Sequence, residues 1–130
     1  MIWNANYPEA YRFLDDEHAM LVRKVQDMKN PSGGIAETDL KSGAVEFLDL
    51  LRKHFEHENR LMQQINYPES EVHKLYHETS LDNVETILRF FDHDSAQRHR
   101  EGIANHLENR LAEELFFDRL LVNYLRKQDQ

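Results

Sequence analysis

Four histidines and one glutamate stand at spacings that a helix turns into shared faces. His54 and Glu58 are four apart, His73 and His77 are four apart, and His18 precedes them all. Residues at i and i+4 project from one side of an α-helix, so each pair would aim its donors in one direction. Imidazole nitrogens and carboxylate oxygens are what iron, manganese or zinc must use in a protein without cysteine, and this chain has none. That absence excludes thiolate zinc sites, iron–sulfur clusters, disulfides and thiol nucleophiles, and it suits a reducing, cytoplasmic setting. A lone buried histidine is ordinarily a satisfied core residue, and a single His-x-x-x-His pair is common on helix surfaces. Five such groups at one depth are harder to explain that way, and their depth is set by the elements that carry them.

Those elements are helical. Glycine (four) and proline (three) are scarce in 130 residues, whereas histidine (eight) is plentiful. Asn30-Pro31-Ser32-Gly33-Gly34, Asn66-Tyr67-Pro68 and the weaker Asp92-His93-Asp94-Ser95 divide the chain into four segments. The first, about 9–29, carries Leu14, His18, Leu21, Val25 and Met28 on one stripe. The second, about 39–65, carries Ala44, Leu48, Leu51, Phe55, Glu58, Met62 and Ile65, with His54 beside Phe55. The third, about 69–91, carries His73, His77, Leu81, Val84, Leu88 and Phe91. The fourth, about 96–127, carries Ile103, Leu107, Leu111, Glu114, Asp118, Leu121 and Leu125. Thr38 suits an N-cap of the second segment, with Lys41 and Ser42 soon after, and Pro68 lies near the first turn of the third. Short connections make neighbours antiparallel. The expected fold is all-α, an up-down-up-down four-helix bundle, with residues 1–130 as a single domain.

In a hairpin turning near Tyr67-Pro68, Glu58 lies about nine residues before the turn and His77 about nine after it, so the two stand level. His73 falls one turn nearer the connection and His54 one turn further away. His18, about 16 residues before the first loop, comes near the height of His54. Five donors from three helices therefore converge on one layer of the core. Burying them unpartnered would cost on the order of several kcal/mol each, a cost that two cations sharing carboxylates would remove.

Other chemistries find little support. A net charge of −8 with scattered lysines and arginines argues against nucleic acid. No apolar run reaches the roughly 18 residues of a membrane span, and Met1 to Pro8 does not resemble a signal peptide. Ser32-Gly33-Gly34 is turn-like rather than a phosphate loop, and no serine-nucleophile signature occurs. His57, His93 and His99 fall off the stripes or in a loop. Tyr124 and Asp129 read as packing or surface, and Arg12 and Arg23 as solvated faces.

The runs Leu14-Asp15-Asp16-Glu17-His18, His54-Phe55-Glu56-His57-Glu58 with Met62, Tyr67-Pro68, and His73-Lys74-Leu75-Tyr76-His77 resemble, in order and spacing, the successive signatures of hemerythrins and bacterial hemerythrin-like domains. Trp3 is similar to the family's N-terminal arm. The resemblance covers about the first two-thirds of the chain. It implies two iron ions (Fe2+/Fe3+), bridged by oxo or hydroxo oxygen and by carboxylates. His73 and His77 would bind one iron, His18 and His54 the other, with Glu58 bridging and Phe55 packing near the oxygen pocket.

The fourth segment departs from that pattern. The family has a histidine followed five residues later by a bridging aspartate. Gly102-Ile103-Ala104-Asn105-His106-Leu107 imitates the local wording, but the residue five beyond His106 is Leu111. His106 would also lie roughly 9 Å from the layer along the axis. Height selects instead Glu114 and Asp118, which interrupt the stripe four apart, with Glu113 as the second choice. The expected metal ligands are thus His18, His54, Glu58, His73, His77, Glu114 and Asp118. Four histidines with three carboxylates form a more oxygen-rich set than the family's five and two, and anionic oxygen donors favour O2 activation or sensing over reversible carriage. The reading is a non-haem di-iron protein that binds O2 or a related diatomic, as carrier, store or sensor rather than enzyme, with an unidentified redox or signalling partner. A di-iron oxidase, peroxidase or nitric-oxide-handling enzyme on the same site remains open, as does a structural or interaction bundle without a catalytic metal.

Overall fold

Continuous apolar stripes with few breakers become four helices among the described residues: α1 (Trp3–Lys29), α2 (Leu40–Gln64), α3 (Ser70–Arg89) and α4 (Arg100–Gln128). The structure is a computed structural model that describes residues 3–29, 40–89 and 100–128. α1 begins at Trp3, before the segment expected from about residue 9. Trp3 lies within the described helix. Thr38, Phe91, His93, His99, Asp129, both polar loops 30–34 and 92–95, and the side chains of Arg12 and Lys41 lie outside the described residues.

α1 packs against α2 and α4, α2 against α3, and α3 against α4, closing an antiparallel up-down-up-down ring. Ion pairs cross the outer seams from Lys24 to Glu46, Arg52 to Glu85 and Lys29 to Glu108. Exposed pairs of this kind contribute at most about 1 kcal/mol each, so the core decides the fold. No helix among the described residues is long and apolar enough to cross a membrane.

The connection between α2 and α3 sets the register of the site. Asn66 adopts a left-handed backbone with φ of 54°, which asparagine tolerates better than most residues. The Asn66 amide then bonds the Gln63 carbonyl at 3.3 Å and the Tyr67 amide bonds the Met62 carbonyl at 3.0 Å, closing the end of α2. Amides of Ser70 and His73 bond the carbonyls of Tyr67 and Glu69 to launch α3. Pro68 lies in the turn just ahead of α3.

Two apolar clusters flank a polar layer. One contains Leu21, Phe47, Leu51, Phe55, Val84 and Leu107, and the other contains Leu14, Met62, Ile65, Tyr67, Leu121 and Leu125. Each fully buried large apolar side chain contributes roughly 1.5–3 kcal/mol, and together they hold the helices at a fixed separation. Leu81 and Leu88, expected on the α3 stripe, are only half-buried; Tyr76, Ser80 and Ile87 take the core face with Val84. Between the clusters, buried from solvent, lie His54, Glu58, His73, His77, Glu114 and Asp118.

Candidate metal centre

All four helices deliver donors to this layer: His18 from α1, His54 and Glu58 from α2, His73 and His77 from α3, and Glu114 and Asp118 from α4. The structure brings all seven of these side chains together. One group of donor atoms comprises His18, His54, Glu58, Glu114 and Asp118; a second comprises Glu58, His73, His77 and Glu114. Within each group every donor atom lies within 4.8 Å of the others, and Glu58 and Glu114 belong to both. His106 and Glu113 stand apart, both exposed on α4, with Glu113 paired to Arg110 at 2.8 Å.

The levels expected from helical rise appear as contacts. Glu58 Oε1 lies 2.8 Å from His77 Nε2, and the His18 and His54 rings meet edge to face at 4.7 Å. His18 Nε2 contacts Asp118 Oδ2, while Asp118 Oδ1 is 3.5 Å from His73 Nε2. His54 Nε2 faces three carboxylate oxygens at once: Glu114 Oε1 at 2.9 Å, Glu58 Oε2 at 3.1 Å and Asp118 Oδ2 at 3.2 Å. A ring nitrogen carries at most one proton, so it cannot satisfy all three. Glu58 Oε2, His73 Nε2, Glu114 Oε2 and Asp118 Oδ1 are buried with no hydrogen-bond partner. Native interiors rarely leave such atoms orphaned, and four in one layer are a donor set that could hold a cation. This donor chemistry fits a pair of divalent or trivalent iron ions.

Charge in the bare layer is frustrated. Burial lifts the Glu58 carboxyl well above its ordinary range, and Glu114 and Asp118 push the same way. Burial and then Asp118 push Glu114 up to about 8. Asp118 moves oppositely: burial opposes its charge, but the polar groups of Glu58, His18, His54 and His73 around it outweigh this and hold it well below the carboxylate range. Burial also opposes a charge on His54, yet bonds to Asp118, Glu114, Glu17 and Glu58 raise it above the imidazole range. His77 is pushed down to about 2 by burial and by the neighbouring His73. Without metal, the folded chain holds its carboxylates together by keeping protons among them, and a cation would displace those protons.

Phe55, expected near the pocket, is buried and stacks on the His77 ring with centroids 3.8 Å apart and planes at 12°. Phe117 extends the apolar wall, 5.6 Å from the His73 ring and stacked on Tyr76 at 4.2 Å. The Tyr76 hydroxyl donates outward to the Arg110 carbonyl at 3.0 Å. Two polar residues to which the sequence reading gave no role also touch the donors. Asn59 Oδ1 accepts from His77 Nδ1 at 2.9 Å, and the Glu17 carboxylate lies 2.8 Å from His54 Nδ1 and 2.6 Å from His57 Nδ1. A signal existed: each directly neighbours a donor in sequence, and a one-residue step turns about 100° toward the adjacent helix. His57, half-exposed, reaches Glu17, which in turn reaches His54.

No family model matches the chain, and no solved structure matches it. It is 25% identical over 108 residues to a myohemerythrin of Sipunculus nudus, covering 82% of this chain and 84% of that one. A myohemerythrin of Theromyzon tessulatum is 23% identical over 106 residues, covering 82% and 83% respectively. A bacteriohemerythrin of Stenotrophomonas maltophilia is 26% identical over 136 aligned positions, spanning all of this chain and 77% of the relative.

Proposed function

We propose that this chain, hemerythrin-like along most of its length, is a non-haem di-iron protein that binds O2 in the core of its bundle. The observation that carries the reading is the set of four orphaned buried donor atoms within two overlapping donor groups. His18, His54 and Asp118 would hold one iron, His73 and His77 the other, and Glu58 and Glu114 would be shared. Iron, when bound, supplies the electrons that a diatomic ligand takes up.

The chain's own residues supply the rest. The group with His73 and His77 has four protein donors against five in the other, so it has more room for an added ligand. Phe55 and Phe117 line its side with apolar surface that excludes water. Asn59 accepts the Nδ1 proton of His77 and so turns the Nε2 lone pair inward. Residues 1–130 would form one domain of a cytoplasmic protein that works with an unidentified redox or signalling partner.

Glu114 makes a third carboxylate in a donor set with four histidines, where the resemblance implies five histidines and two carboxylates, and this favours O2 activation or sensing over carriage. Anaerobic loading with ferrous iron, an iron count and admission of air decide among the readings. Two irons per chain with a coloured adduct that persists until oxygen is removed supports O2 binding. Rapid bleaching with steady consumption of reductant supports an oxidase or peroxidase on the same site. A chain that takes up no iron and whose melting ignores chelators overturns both.

A further inference from the structure

Glu17 is not one of the donors that converge on the polar layer, although it directly precedes His18 on α1. Its carboxylate lies behind His54, on the side of the ring away from the other carboxylates. One oxygen is 2.8 Å from His54 Nδ1 and the other 2.6 Å from His57 Nδ1. His54 is fully buried, whereas Glu17 and His57 are partly exposed at 16% and 35%. The two histidines are three apart on α2, so both face α1 and reach the same carboxylate.

We propose that Glu17 is the positioning residue for the His54 donor, and that His57 holds Glu17 in place for that role. The proposal rests on the metal-centre reading above. An unrestrained imidazole can rotate to exchange Nδ1 and Nε2. His54 Nε2 faces three carboxylate oxygens of the layer, so one ring orientation presents that nitrogen to the shared donors and the other does not. A carboxylate accepting from Nδ1 fixes the ring against rotation, keeps a proton on the outer nitrogen and strengthens the lone pair of the inner one. Bonds to both His54 and His57 leave the Glu17 carboxylate little freedom to swing away. His77 has the neutral amide of Asn59 in the equivalent place, so the two donor groups differ in strength. The group containing His18 and His54 becomes the tighter of the two, filled first on loading.

The test compares Glu17→Ala, Glu17→Gln and Glu56→Ala; Glu56 is an exposed glutamate of the same helix as His54, paired with Arg60. In the metal-free chain with 15N-labelled histidine, the His54 Nδ1–H signal is slowly exchanging in the wild type, lost in E17A and retained in E17Q, whose amide oxygen still accepts. In anaerobic ferrous titration, E17A weakens the tighter binding step by about 10–100-fold, E17Q recovers most of that loss, and E56A matches the wild type. Urea denaturation of the metal-free variants separates these effects from a folding defect. A persisting Nδ1–H signal in E17A, wild-type affinity in E17A, or an E17Q as weak as E17A overturns the proposal. If the wild type itself takes up no iron, the di-iron reading fails, and the NMR comparison still decides whether Glu17 orients His54.

Discussion

Replacing Glu114 by glutamine should move the metal-free and iron-loaded proteins in opposite directions. Glu114 is fully buried, and burial with Asp118 pushes its carboxyl up to about 8 from 4.5. Below pH 4.5 both folded and unfolded chains hold the proton, and the native state bears no penalty. From 4.5 to about 8 the unfolded chain ionises while the folded one does not, so stability falls by about 1.4 kcal/mol per pH unit and then levels off. At pH 7 the accumulated loss is about 3 kcal/mol. Glutamine approximates the shape of the protonated acid, keeps an oxygen near His54 Nε2, and never ionises. E114Q should therefore stabilise the metal-free chain at pH 7 by about 1–3 kcal/mol, the lower figure allowing for the protons shared with Glu58 and Asp118. For a chain of this size that is a rise in melting temperature of up to roughly 10 °C. The gain should shrink below about 1 kcal/mol at pH 5, where the wild-type penalty has nearly gone. With iron present the sign reverses, because a neutral amide cannot serve as a shared anionic donor; a thousandfold loss of affinity removes about 4.1 kcal/mol of ligand stabilisation, more than the metal-free gain. Thermal melts at pH 5, 7 and 8.5, with chelator and with anaerobic ferrous iron, give both halves. A metal-free E114Q less stable than wild type at pH 7, or one that loads two irons with wild-type affinity, would refute the reasoning.

His77→Asn should abolish the absorption of the iron-loaded protein while leaving the helical circular dichroism unchanged, since the apolar clusters on both sides of the layer are untouched. The same substitution has a pH signature without metal. His77 is pushed down to about 2 from 6.5, so the unfolded chain takes up a proton below pH 6.5 that the folded chain refuses, and the wild type loses stability as pH falls. Relative to H77N, the wild type should lose about 2 kcal/mol between pH 6.5 and 5, read by urea denaturation; parallel profiles would contradict this. At the α2–α3 connection, Asn66→Gly should be neutral or slightly stabilising, whereas Asn66→Val should cost about 1–2 kcal/mol, because a β-branched residue resists the φ of 54° found there. Denaturation midpoints of the two variants that coincide would show that the left-handed turn carries no strain.

What the sequence determined by itself was the four-helix architecture and the depth of the donors along the bundle. Scarce breakers and 3.6-residue stripes specify helices, and a constant rise per residue converts spacing from a turn into height, so His18, His54, Glu58, His73 and His77 could be assigned to one layer by counting. The same counting chose Glu114 and Asp118 over His106, whose local wording was closer to the family pattern but whose side chain lies exposed outside the layer. Counting along an axis says nothing about direction around it beyond the helix's own period. The tertiary structure alone decided that Glu17 and Asn59 lie against His54 and His77, that Phe55 stacks on His77, and that Glu58 and Glu114 belong to both donor groups. It also decided that Tyr76 and Ile87 are buried on the α3 face while Leu81 and Leu88 pack at its edge, partly exposed. The physical reason is that such relations depend on how far each helix is rotated against its neighbours. That rotation follows from the packing of all the core side chains at once, so no single segment encodes it.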